Sequence, residues 1–269
     1  MEASAARLRT DESIQAPEAF DPVKAWIEYI NRLFGVLSGL FAMVYFGMAV
    51  LFRKRITSGK GWGFVALFLL LLNGWLGSLV VATNLLPGVV TLHFLLSFLC
   101  LFAYMVSLHK AVPFTFEQDL VLSKKHWFGL WLSVFFIVII GAWSREQVDG
   151  LRLAGKLYVD GDTSGFLGWG MLDVFAMDAL FALHRYLPFG LLGWMIWLSR
   201  KQSTLGNQLS KSHPFSVIAM ISAVQIALGV VHIWFVVPAW AQVAHVVVGS
   251  ALITYIFAVY LSSRAHQPS

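Results

Sequence analysis

Charge is scarce in this sequence. Asp, Glu, Lys and Arg together supply 12% of 269 residues, about half the 25% share with which a soluble domain covers its surface. Cysteine is scarcer still: the single Cys100 lies inside an apolar run, which excludes an intrachain disulfide and a cysteine metal cluster. The first 27 residues lack the apolar core of a secretory signal and are polar instead, with Glu2, Arg7, Arg9, Asp11, Glu12, Glu18, Asp21 and Lys24 among them. What is plentiful is hydrophobic: 58% of the chain, 15% of it aromatic, at a mean hydropathy of +0.74. A soluble globular domain is ruled out, and an integral membrane protein is indicated. The net charge of +5 then points to basic loops on one side of a membrane, not to nucleic acid.

About 20 mostly apolar residues carry an α-helix across the hydrocarbon core. Seven such runs occur, at roughly 30–52, 62–84, 87–109, 127–143, 174–199, 215–236 and 238–262. They are too long for barrel strands and lack strict alternation, so the expected fold class is all-α, a polytopic membrane protein. Trp26, Tyr29, Trp62, Trp127, Trp143 and Trp240 stand at span ends, as an interfacial aromatic belt predicts. Basic residues follow the odd spans: Arg53, Lys54, Arg55 and Lys60; Lys110, Lys124 and Lys125; Arg200, Lys201 and Lys211. The tight connections at 84–87 and 236–238 carry no charge. By the positive-inside rule the N-terminus and the mixed, Gly-rich 144–173 loop lie outside, and the C-terminus is cytoplasmic.

The chain also repeats itself. Asn31-Arg32-Leu33-Phe34-Gly35 in the first span is answered by His184-Arg185 and Phe189-Gly190 in the fifth. Trp75-Leu76-Gly77 through Val81 is answered by Ala227-Leu228-Gly229-Val230-Val231, and each is followed by a proline (Pro87, Pro238) and a histidine (His93, His245). From Asn31 to Gly77 is 46 residues and from His184 to Gly229 is 45; each glycine precedes its histidine by 16. Two three-span units separated by one span run parallel, related by an axis along the membrane normal. The expected organisation is a polar outer tail at 1–27 and a first repeat at 28–110. A cytoplasmic loop, linking helix and outer loop follow at 111–173, then a second repeat at 174–262 and a cytoplasmic tail at 263–269.

Ionisable residues inside spans are costly and mark function by default. Arg32, Asp178 and Arg185 are the clearest, with Glu28 at the mouth of the first span. His109 sits beside Lys110 at a cytoplasmic end and reads as an interfacial side chain, and His232 lies near an outer turn. His245 lies about 10 Å below the outer turn at 1.5 Å per residue, and His184 lies at comparable depth. Two facing imidazoles in a helical bundle either hydrogen-bond across helices or form the axial pair of a b-type haem. Arg185 beside one of them is placed for a haem propionate. The first half departs from this pattern: His93 matches His245, but the partner position is Asn31, with Glu28 one helical turn above it where the second half has Phe181. One half thus offers two ligands; the other offers one ligand and a carboxylate, the latter either a base or a structural partner of Arg32 or Lys24.

The run Trp26-Ile27-Glu28-Tyr29-Ile30-Asn31-Arg32-Leu33-Phe34-Gly35 resembles the Glu-x-x-His/Asn-Arg motif of haem A synthases. The Gly77-to-His93 segment, the His184-Arg185 pair and the Gly229-to-His245 segment are similar to the family's other landmarks, so the resemblance covers about residues 22–262. Asn at the first ligand position is a variant of one bacterial branch. The resemblance implies two pseudo-symmetric helical bundles, the second holding haem B and the first oxidising the C8 methyl of haem O to the formyl of haem A for cytochrome oxidase. It implies His184 and His245 as haem B ligands, Arg185 as a cofactor-binding residue, and His93 as ligand to the substrate haem iron. Asn31 and Arg32 would sit at that substrate haem, with Glu28 as the catalytic carboxylate. It further implies the bacterial inner membrane, a haem O synthase as supplier, an electron acceptor that the sequence does not identify, and compatibility with a homo-oligomer. The family has eight spans; its first span and following loop have no counterpart here, so a displaced start site or a truncated variant is expected. Two rivals stand beside this reading. A dihaem b-type electron carrier would want two bis-histidine sites, and a transporter of parallel repeats would leave the histidines unexplained.

Overall fold

The computed structural model describes residues 22–52, 59–83, 86, 88–114, 123–153, 179–204, 214–235 and 238–263. These residues form α1 (Pro22–Leu51), α2 (Lys60–Ala82), α3 (Val89–Ala111), α4 (Lys124–Leu153), α5 (Ala179–Thr204), α6 (Pro214–Trp234) and α7 (Ala239–Ser262). All seven are long and apolar enough to cross a membrane, and no strand occurs among the described residues. The protein is therefore an all-α, multi-pass membrane protein. In hydrocarbon every backbone N–H and C=O must be bonded within the segment, which an uninterrupted helix achieves by itself.

The helices pack in two different ways. α4, α5, α6 and α7 form a closed ring, each against the next and α7 back against α4. α1, α2 and α3 form a row in which α2 packs on both neighbours, and α3 meets α4 and α7 at the junction. The tightest core fills the half of the molecule that holds the C-terminal ends of α3, α5 and α7. There Trp127 stacks on Phe215 with centroids 5.2 Å apart, and Phe102 packs on Phe257 at 4.7 Å. The opposite half holds His93, His184 and His245, each within the first two turns of its helix.

Three expectations need correction. Trp127 is not an interfacial belt residue: it is fully buried, because its ring stacks on Phe215 within the core cluster. Trp26, Trp62, Trp143 and Trp240, by contrast, are exposed. α1 begins at Pro22, inside the segment read as a polar tail, where the fixed φ of proline suits the first helical turn and its missing N–H costs nothing. α4 runs to Leu153, ten residues beyond the apolar run. At its polar end Arg145 and Glu146 find partners on neighbouring helices. Asp178 and the start of the fifth span at 174–178 lie outside the described residues.

Glu146 is one such side chain. Its carboxylate accepts the Gly88 N–H at both oxygens (3.0 and 2.9 Å), the Thr91 N–H at 3.1 Å and the Thr91 hydroxyl at 2.7 Å. Gly88 stands at the N-cap of α3 with φ 84°, a conformation that glycine adopts without steric cost. The first amides of a helix have no intrahelical acceptor and carry the positive end of the macrodipole, so a carboxylate there meets both needs. Glu146→Gln keeps the shape and removes the charge. It is expected to cost about 1–2 kcal/mol, read as a lower unfolding temperature in detergent; an unchanged temperature would contradict the clamp.

Candidate functional site

Histidines line the open half. The His184 and His245 rings lie with centroids 6.2 Å apart and planes at 72°. His232, in the last turn of α6, puts its ring 5.0 Å from His245 at 68°. All are half-buried. The structure thus brings His184 and His245 together as the repeat predicts, and adds His232 beside them.

His93, His184 and His245 each lie against a glycine of the preceding helix. A Cβ at Gly141 would lie 2.5 Å from His184 Cε1 and 3.1 Å from both ring nitrogens. A Cβ at Gly77 would lie 3.1 Å from His93 Cε1, and one at Gly229 would lie 3.8 Å from His245 Cε1. The first approach is closer than side-chain carbons tolerate, the second is tight and would need the ring to give by a few tenths of an ångström, and the third is ordinary contact. His184 Nδ1 sits 3.0 Å from the Ile137 carbonyl, four residues before Gly141. A carbonyl only accepts, so Nδ1 donates, and in a neutral ring Nε2 keeps its lone pair. A histidine poised to ligate a metal is oriented in this way. Nδ1 of His93 and of His245 is buried without a hydrogen bond of full geometry, and the rings interact with the Asn73 and Gln225 backbones, each four residues before the facing glycine.

α4 braces this arrangement from the same end of the molecule. With the Gln242 amide turned so that its oxygen faces α4, Arg145 Nη2 donates to that oxygen at 2.9 Å and Nε donates to it as well. Gln242 stands three residues before His245. α4 therefore touches α5 through Ile137 and Gly141, α7 through Arg145, and α3 through Glu146.

The first half is more open. Asn31 and Arg32 are exposed on α1, which packs on α2. Among the described residues Asn31 makes no hydrogen bond, and the structure does not bring it onto His93. Glu28 lies within α1, and its side chain is outside the described residues. The Arg185 guanidinium lies 5.3 Å over the Tyr186 ring, and the His109 ring packs 4.6 Å from Phe114. Sequence reasoning missed Gly141, Arg145, Gln242 and Glu146. It also missed two intramembrane amides, Asn73 and Gln225, although each stands twenty residues before its histidine and equal spacing was signal enough.

Fold and site together define a multi-pass helical membrane protein with paired histidines near one end of a four-helix ring. The COX15-CtaA family model, that of cytochrome oxidase assembly proteins, matches residues 4–257. The chain belongs to this family, which serves haem A synthesis. No curated protein and no solved structure matches it.

The glycine contacts rank the consequences of adding one methyl group. Gly141→Ala is expected to displace His184 and lower the haem content of the purified protein by about tenfold or more. Gly229→Ala is expected to leave that content unchanged. Equal haem content in the two variants would contradict the ranking.

Proposed function

We propose that the protein is a haem A synthase that oxidises the C8 methyl of haem O to a formyl group, with a haem B held by His184 and His245. The single observation that carries this is the spacing of those two rings. Imidazoles on opposite sides of one iron, at metal–nitrogen distances of about 2 Å, have centroids about 6 Å apart; here they are 6.2 Å apart. The Gly141 contact supports the same reading, because only a residue without a side chain lets α4 approach the ring. Among the described residues no three His, Cys, Asp or Glu converge as a metal cluster, whereas haem needs only two protein ligands.

In this reading the 174–262 repeat, closed into a ring by α4, is the haem B half, and the 28–110 repeat is the substrate half. Converting methyl to formyl with water as the oxygen source releases four electrons and four protons in two two-electron steps. Bound haem B supplies one-electron relay to an acceptor of unidentified nature. His93 ligates the substrate haem, Asn31 faces the other side of it and Arg32 assists its binding, while Arg185 binds a propionate of haem B. Glu28 at the mouth of α1 takes up protons released at the methyl group, or stabilises positive charge there, as a carboxylate in a low-dielectric site does. A haem O synthase supplies the substrate. The membrane is the bacterial inner membrane, with the N-terminus outside and the C-terminus cytoplasmic.

Replacing His184 or His245 with Ala is expected to abolish the low-spin b-type absorption spectrum, whereas His109→Ala and His232→Ala preserve it. Survival of the spectrum in both ligand variants overturns the assignment. Glu28→Gln keeps hydrogen bonding and loses the base. It is expected to retain haem B and accumulate haem O or its hydroxylated form; parental haem A yield would remove Glu28 from the mechanism.

A further inference from the structure

We infer that the side chains of Gln225 and Asn73 are positioning groups that set how far His245 and His93 stand along their helices, acting through the backbone carbonyl of each histidine. This rests on the reading of those histidines as haem ligands. Gln225 Nε2, on α6, donates to the His245 carbonyl on α7 at 2.9 Å. In the first half Asn73 Nδ2, on α2, donates to Ser97 Oγ at 2.8 Å, and that hydroxyl donates to the His93 carbonyl at 2.9 Å. Both chains of contact end on the same atom of the equivalent histidine. That carbonyl already faces the N–H four residues on, as in any helix, so the amide or hydroxyl takes up its second lone pair.

A packing amide in an apolar span satisfies itself on whatever carbonyl it meets. Two amides at equivalent positions, of different length, arrive at one equivalent oxygen, and the difference in length is compensated by a third position. Four residues after each histidine stands Ser97 in one half and Gly249 in the other. Asparagine is one methylene shorter, and the Ser97 hydroxyl completes its reach. Glutamine reaches directly, and glycine leaves it room in this position: a Cβ at 249 would lie 2.9 Å from Gln225 Nε2 and 3.6 Å from its Cδ, so the amide would have to shift off the carbonyl. The pairs Asn–Ser and Gln–Gly are alternative solutions to one constraint. Gly77 and Gly229, one helical turn beyond the amides on the same face, set the lateral approach of the rings. The amides set the axial position.

α5 differs at the carbonyl. Pro188 lies inside that helix, four residues after His184, so it has no N–H for the His184 carbonyl. The His184 ring meets the Ile137 carbonyl, four residues before Gly141, and the backbones of Asn73 and Gln225, four residues before Gly77 and Gly229, interact likewise with the rings of His93 and His245. The ring contact is common to the three histidines; the side-chain contact on the carbonyl is made at His93 and His245.

The test is a cycle on the full chain: Gln225→Asn, Gly249→Ser, and the two combined, which installs the Asn–Ser arrangement of the first half. Haem loss to excess apomyoglobin and the low-spin paramagnetic resonance of the retained haem are measured together. Each single variant is expected to keep a low-spin signal with shifted g values and to lose haem about 10- to 100-fold faster, the usual effect of an outer-shell change. The combined variant is expected to return both readouts toward the parent. Parental behaviour in both single variants, or a combined variant no slower than the faster single one, overturns the inference while leaving the functional reading intact. A parent with no His245-dependent low-spin haem overturns the functional reading first, and this inference with it.

Discussion

His184 can stand where it does only because Gly141 has no side chain. A single methyl group there would meet the ring at 2.5 Å, and α4 would have to withdraw from α5. The same helix caps α3 through Glu146 and reaches α7 through Arg145, so a retreat of α4 would disturb all three histidine-bearing helices. Close approach at one glycine is thus the constraint on which the geometry of both halves depends. Without a hydrophobic driving force between helices in lipid, packing of small residues and interhelical hydrogen bonds decide the arrangement, and α4 supplies both.

The two halves share a plan and differ in how far it is completed. In the second half α4 closes the ring around His184 and His245, and the core from Trp127 to Phe257 fills the far end. In the first half α1 packs along α2 and meets α3 through Tyr45, which hydrogen-bonds the Ser107 hydroxyl at 2.8 Å, leaving Asn31 and Arg32 exposed while His93 is seated against Gly77. On the proposed function, the closed half would retain the cofactor and the more open half would admit and release a substrate of the same shape. That division agrees with the placement of the carboxylate, since Glu28 belongs to α1 and has no counterpart in α5.

Much of this was legible in the sequence. Seven spans follow from hydropathy because lipid imposes length and apolarity on every crossing. The His184–His245 pair was legible as two histidines at comparable depth in one repeat, and the shared 16-residue spacing gives His93 and His245 each a facing glycine. Other features were illegible for physical reasons. Arg145 and Glu146 look like the start of a charged loop until their partners on α7 and α3 are known; with those partners the helix continues to Leu153. Gly141 is one glycine among many in an apolar run, and nothing in its neighbours reveals that an imidazole faces it. Trp127 sits at a span end like a belt residue, and only the position of Phe215 shows that it is core.

The central claim is that one half retains haem B while the other alters a haem. Mass spectrometry of haem extracted from the purified protein, after coexpression with a haem O synthase, tests it most directly. The account predicts haem B together with haem A or the hydroxylated form of haem O. Haem B alone, at two per chain, would contradict it in favour of an electron carrier, and a protein free of haem would contradict it altogether.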